Sequence, residues 1–151
     1  MLRHGSCIRI FHSAKNRITH CLLTDAPRCG VYVGSQWDTP RDRQLTYGNV
    51  IAHNRVFRCM NATCDGGAIY LAATNNREDS SNVVDNNLVV DTYNTLPGWQ
   101  STPIYTDLQA DYTVVKDNLV YDYQGTPVVG AGSRIETNNS WNDGFDLSQV
   151  Q

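Results

Sequence analysis

The feature that most constrains this chain is an asparagine that recurs between two short apolar stretches. It stands in Ala14-Lys15-Asn16-Arg17-Ile18, Ala52-His53-Asn54-Arg55-Val56, Asp85-Asn86-Asn87-Leu88-Val89, Lys116-Asp117-Asn118-Leu119-Val120 and Thr137-Asn138-Asn139-Ser140-Trp141. A second landmark, a short strand opened by Gly or Pro, follows the first four: Gly30-Val31-Tyr32-Val33, Gly67-Ala68-Ile69-Tyr70-Leu71, Pro103-Ile104-Tyr105-Thr106 and Pro127-Val128-Val129. Gly144-Phe145-Asp146-Leu147 is a poorer fifth copy. Tyr32, Tyr70 and Tyr105 fall in one column. Two columns kept in the same order along a chain are the mark of a solenoid.

Each copy holds two or three strands of a few residues, and none has the period of a helix. Composition agrees. The chain has 14 Asn, 13 Asp, 13 Thr and 14 Val against 2 Glu and 2 Lys, so turn formers and β-branched residues dominate over surface helix formers. The expected fold is all-β: a right-handed parallel β-helix of about five coils over residues 1–151, with incomplete ends. An Asn at a tight bend tolerates left-handed backbone angles, and stacked Asn side chains can hydrogen-bond from coil to coil. A β-sandwich is the less favoured alternative, because Asp65-Gly66 and Asp143-Gly144 are the only strong hairpin dipeptides.

A net charge of −3 gives no basic field for nucleic acid, and no apolar run has the length of a membrane span. The first residues lack the apolar stretch of a secretory signal. The five cysteines cannot all pair internally. They read as buried, reduced thiols, with a Cys59–Cys64 disulfide as the alternative.

Asn54-Arg55-Val56-Phe57, Asp65-Gly66-Gly67-Ala68-Ile69-Tyr70, Asn87-Leu88-Val89-Val90-Asp91, Ile104-Tyr105-Thr106-Asp107 and Asn118-Leu119-Val120-Tyr121 resemble the pectin lyase-like right-handed parallel β-helix superfamily. They are most similar to its bacterial glycoside hydrolase-like members. The resemblance covers residues 8–147 and implies a carbohydrate substrate and an extracellular or periplasmic setting. Its members include hydrolases, lyases and non-catalytic phage adhesins, so fold alone does not choose among them. They also tend to be longer, which implies that this chain is joined to further coils or associates end to end.

Glycoside hydrolysis needs two carboxyl groups. Asp107 is the first candidate, because its column neighbours Gly34, Ala72 and Ala131 are small. Asp65, before two glycines, is the second. On a straight strand the two would stand about 23 Å apart, so only a bend could pair them. Glu78, in a polar loop, is a third, and Asp111, Glu136 and Asp38 are weaker partners. Trp37 and Trp99 are expected as sugar platforms, Tyr105 as a groove residue, and Arg55 as a carboxylate reader. No cofactor is expected. Ca²⁺ is conceivable for Asp-rich loops, but no calcium repeat is present.

Overall fold

Strands form wherever β-branched and apolar residues alternate with polar ones, and every strand is short because a bend interrupts it. A computed structural model describes residues 5–74, 79–94, 96–98, 101–130 and 134–142. The strands are β1 (Ile8–Phe11), β2 (Arg17–Thr19), β3 (Leu22–Thr24), β4 (Val31–Gly34), β5 (Val50–Ala52), β6 (Arg55–Cys59), β7 (Gly66–Ala72), β8 (Val83–Asp85), β9 (Leu88–Thr92), β10 (Ser101–Thr106), β11 (Thr113–Lys116), β12 (Leu119–Tyr123), β13 (Val128–Gly130), β14 (Arg134–Thr137) and β15 (Ser140–Asn142). Every third strand returns to the same sheet. Sheet A is β1-β4-β7-β10-β13, sheet B is β2-β5-β8-β11-β14 and sheet C is β3-β6-β9-β12-β15. All pairings are parallel. The chain is therefore a parallel β-solenoid. Its coils at 8–24, 31–59 and 101–123 are described without a break, about three turns rather than the five expected.

The core is a set of vertical columns, one per sheet, packed toward a common axis. Sheet A contributes Ile8, Val31, Ile69, Ile104 and Val128 in register. Sheet B contributes Ile18, Ile51, Val84 and Val115, and sheet C Leu23, Val56, Val89, Val120 and Trp141. Most of these side chains are fully buried, each worth roughly 1.5–3 kcal/mol of transfer from water. Among the described residues no helix is long and apolar enough to cross a membrane.

The corner between sheets B and C is the most regular part of the coil. It is turned by His20, His53, Asn86, Asp117 and Asn138, whose φ values are 57, 55, 50, 53 and 52°. The next residue is Cys21, Asn54, Asn87, Asn118 or Asn139. Expectation placed the left-handed angle on the Asn; the structure places it one residue earlier. The bend leaves backbone groups facing inward, and the following Asn turns in to satisfy them. Asn87 Nδ2 donates to Asn118 Oδ1 at 3.0 Å and to Ile51 O at 2.9 Å. Its Oδ1 accepts from the backbone N–H and Nδ2 of Asn54, both at 3.0 Å. Asn118 repeats the pattern toward Asn139 and Val84.

Asn16 does not belong to this column. The first-coil position is Cys21, whose N–H donates to Asn54 Oδ1. Asn16 heads a separate ladder with Asn49 and Asn82, one corner earlier: Asn16 Nδ2 donates to Asn49 Oδ1 and Asn49 Nδ2 to Asn82 Oδ1, both at 2.9 Å. Both ladders thus run at a spacing of 33 residues where they are most regular. The single column read from the sequence joined one ladder to the other, since Asn16 and Asn54 stand 38 residues apart.

Among the five cysteines no disulfide forms. Cys29 and Cys59 are buried as expected, and burial pushes the Cys59 thiol up to about 12. Cys21 and Cys64 are half-buried and Cys7 is exposed, which departs from the expectation of uniformly buried thiols. Gly144-Phe145-Asp146-Leu147 and Ala131 lie outside the described residues.

Candidate site on the outer face of sheet A

The tyrosine column is real: Tyr32, Tyr70 and Tyr105 are direct neighbours on β4, β7 and β10. Their side chains point outward because the alternate residues Val31, Val33, Ile69, Leu71 and Ile104 point into the core. The rings lie 5.5 Å and 5.2 Å apart. Tyr70, in the middle, is only 5 % exposed although it faces away from the core. It packs with Cys29, Met60 and Ala72 into a small apolar cluster of its own, with Tyr32 and Tyr105 at its flanks.

Asp107 follows β10 and keeps the ladder going, its N–H donating to Leu71 O at 2.7 Å. Its carboxylate does not stand free above small neighbours. It is half-buried, and its Oδ2 accepts a 2.6 Å hydrogen bond from the Tyr70 hydroxyl. Burial, then this hydrogen bond and the Asp107 charge, drive the Tyr70 phenol far above its ordinary value.

Asp65 reaches the same neighbourhood by a bend. It adopts φ 66° at the entry to β7, so it does not continue the straight line of the strand. Its backbone carbonyl accepts from Arg28 Nε at 3.2 Å and Nη2 at 2.9 Å. That anchor lays the Arg28 guanidinium over the Tyr70 ring, 5.3 Å from its centroid. The two glycines after Asp65 make room. A Cβ on Gly66 would sit 3.1 Å from the Met60 side chain and 3.3 Å from Arg28 Nε; one on Gly67 would sit 2.8 Å from Thr102 O. Burial raises the Asp65 carboxyl, Arg28 opposes the rise, and the charge of Asp107 adds to it. Both aspartates therefore act on Tyr70, and Asp107 acts on Asp65.

Arg28 was not foreseen as a site residue. No motif marks it, because its place over Tyr70 depends on the carbonyl of a residue one coil away. Arg9 adds a second cation on this face, 5.2 Å from the Tyr32 ring. Burial raises the Tyr32 phenol, and Arg9 and Arg28 oppose it.

Trp37 is 75 % exposed, on the excursion between β4 and β5. That excursion is closed at its base by Ser35 Oγ and Thr46 Oγ1, 2.9 Å apart. It also leans on the turn that carries Asp107: Gln44 Nε2 donates to Gln109 Oε1, and Arg41 pairs with Asp111 at 2.7 Å. Asp111 is thereby committed to Arg41. Tyr105 is half-buried beside Tyr70. Arg55 is on sheet C, in register with Leu22 and Leu88, and does not join this group. Glu78 and Trp99 lie outside the described residues, as does the side chain of Glu136. Among the described residues no three His, Cys, Asp or Glu side chains are grouped to hold a metal ion.

Comparison of the chain with protein-family models, curated proteins and solved structures found no match.

Proposed function

We propose that the outer face of sheet A is the working face of a carbohydrate-active β-helix protein of the pectin lyase-like kind, acting as a glycoside hydrolase on a poly- or oligosaccharide. The observation that carries this reading is the grouping of Asp65 and Asp107 around Tyr70. Two carboxyl groups in unlike environments can divide acid and base work. Asp65, raised by burial and by its neighbour, is suited to hold the proton that goes to the glycosidic oxygen. Asp107, oriented by the Tyr70 hydroxyl, takes the role of nucleophile or base. Tyr105 and Trp37 offer flat apolar faces to sugar rings on either side.

The test is turnover on a panel of neutral and acidic glycans, read as new reducing ends. Asp107→Asn is expected to lower the rate at least ~100-fold, the usual scale of a lost acid or base, with the circular dichroism spectrum unchanged. Parent-like turnover by that variant removes Asp107 from the chemistry.

A second reading, non-catalytic glycan binding, is favoured by the exposure of Trp37. It predicts retention on immobilised glycan that is lost in Trp37→Ala and kept in Asp107→Asn, with no turnover in any variant. A lyase would instead release unsaturated products, seen as ultraviolet absorbance without added water in the product mass.

A further inference from the structure

The corner between sheets B and C holds a second group of functional side chains, unconnected with the tyrosine face. His20 and His53 occupy the same left-handed position in successive coils, so the fold stacks them. Their rings lie 5.2 Å apart with planes 24° from parallel. They line a recess of about 360 Å³ together with Cys21, Leu22 and Arg55. No carboxylate lines it. Arg55 is exposed and, among the described residues, forms no ion pair. On a chain of net charge −3, three nitrogen-rich side chains facing one recess without a counter-charge is an unusual concentration.

We propose that this recess binds a small oxyanion, the carboxylate or the phosphate or sulfate group of a ligand, with Arg55 as the fixed cation and the two imidazoles as N–H donors. A guanidinium presents a planar fork that matches an oxyanion. Each histidine that carries a proton adds positive charge beside a bound anion, so binding is expected to be tighter at pH 6 than at pH 8. The charged groups on the strands that lead into this corner are Arg17 on β2, Asp85 on β8 and Lys116 on β11, and Asp117 turns the same corner two coils beyond His53. Asp85 already pairs with Lys116 at 3.5 Å, so it leaves the positive character of the recess in place. The adjoining bend residue of the third coil is the neutral Asn86.

The experiment is a titration of the whole chain, followed by the imidazole C–H resonances. Sulfate serves as one probe, because its charge is constant over this pH range, and acetate as the other. Saturable shifts of His20 and His53 at pH 6 with either ion, weakened at least fivefold at pH 8, are expected. The tighter of the two ions tells a phosphate-like from a carboxylate ligand. Arg55→Gln, at an exposed position, should fold normally and bind at least fivefold more weakly. His53→Gln should do the same, with Arg17→Gln as a control that leaves affinity within twofold. Shifts that do not saturate, that are equal at His4 and His12, or that persist unchanged in Arg55→Gln would overturn the proposal. Loss of glycan turnover in Asp107→Asn leaves these shifts untouched, so the two sites fail separately.

Discussion

The asparagine ladder at the B–C corner and the tyrosine ladder of sheet A are built alike: one residue type, one step per coil, in register across the stack. They differ in where their polar atoms go. Each inward Asn spends its amide on the next Asn and on a backbone carbonyl of the coil before, so the column closes on itself. The tyrosines point out, and the polar end of the central one leaves the column for Asp107. Around it gather Arg28 and Asp65, which no other coil repeats. A column whose hydrogen bonds are met within the repeat is scaffold. A column whose polar atoms are met by non-repeating residues marks the place where the solenoid has been adapted to a task.

The largest effect should come from breaking the closed column. Asn87→Ala takes the partner from the buried Asn54 N–H. It also removes one further hydrogen bond each from Asn54 Nδ2, which keeps Ile18 O, from Asn118 Oδ1, which keeps the backbone N–H of residue 87, and from Ile51 O. At about 1–3 kcal/mol for the stranded N–H and about 0.5–1.5 kcal/mol for each of the other lost hydrogen bonds, a loss of about 3 kcal/mol is expected. Urea denaturation followed by circular dichroism measures it. A loss below about 1 kcal/mol would mean that water enters the corner and that the ladder is not the scaffold.

Tyr70→Phe tests the open column. It keeps the ring stack with Tyr32 and Tyr105 and removes only the donor to Asp107. A hydrogen bond to a carboxylate contributes about 1.5–3 kcal/mol. Part of it returns as Asp107 hydrates, so stability should fall by about 1 kcal/mol. Turnover should fall by a larger factor than stability explains, because Asp107 loses its orientation. Equal stability and equal turnover would make the Tyr70–Asp107 contact incidental.

Asp65→Asn sharpens the comparison by pH. The Asp65 carboxyl is raised in the fold, so the folded chain holds that proton more tightly than the unfolded one. Its contribution to stability is present below the ordinary aspartate value of ~3.9. It is lost as pH rises through the folded value. The asparagine variant cannot titrate there. Its denaturation midpoint should fall less than the parent's over that interval, and at pH 7 it should match or exceed the parent. A parent-like slope would show that Asp65 is no more perturbed than a surface carboxyl.

How much of this was legible in the sequence follows the same division. The Tyr32–Tyr70–Tyr105 column could be read because strands of one sheet keep register, whatever lies between them. The inward asparagines could be read as a recurring type but not sorted. Asn16 and Asn54 sit beside similar apolar residues, and only the bends decide that one starts β2 while the other starts β6. The turn of Asp65 out of the line of β7 was hidden, because a left-handed angle at a single residue leaves no mark in a strand pattern. Arg28 was hidden more deeply, since a backbone carbonyl that any residue could supply holds it in place.

The smallest effect is expected where a cross-coil contact is neither buried nor part of either column. Arg58, within β6, and Asp25, just after β3, occupy equivalent left-handed positions one coil apart. They form a two-pronged pair, Nε to Oδ1 at 2.7 Å and Nη2 to Oδ2 at 2.8 Å. Its two bonds are short and parallel, and Arg58 holds the Asp25 carboxyl below the usual range. Asp25 therefore favours the fold above the ordinary aspartate value, and that support is lost as pH falls. Both side chains are more than half exposed, however, and water and salt screen what they gain. Arg58→Ala should move the denaturation midpoint at pH 7 by no more than the error of the measurement, with no dependence on added salt. A clear loss there, comparable to that of Asn87→Ala, would show that cross-coil contacts stabilise the stack whether or not they are buried, and would remove the distinction between closed and open columns as an account of its stability.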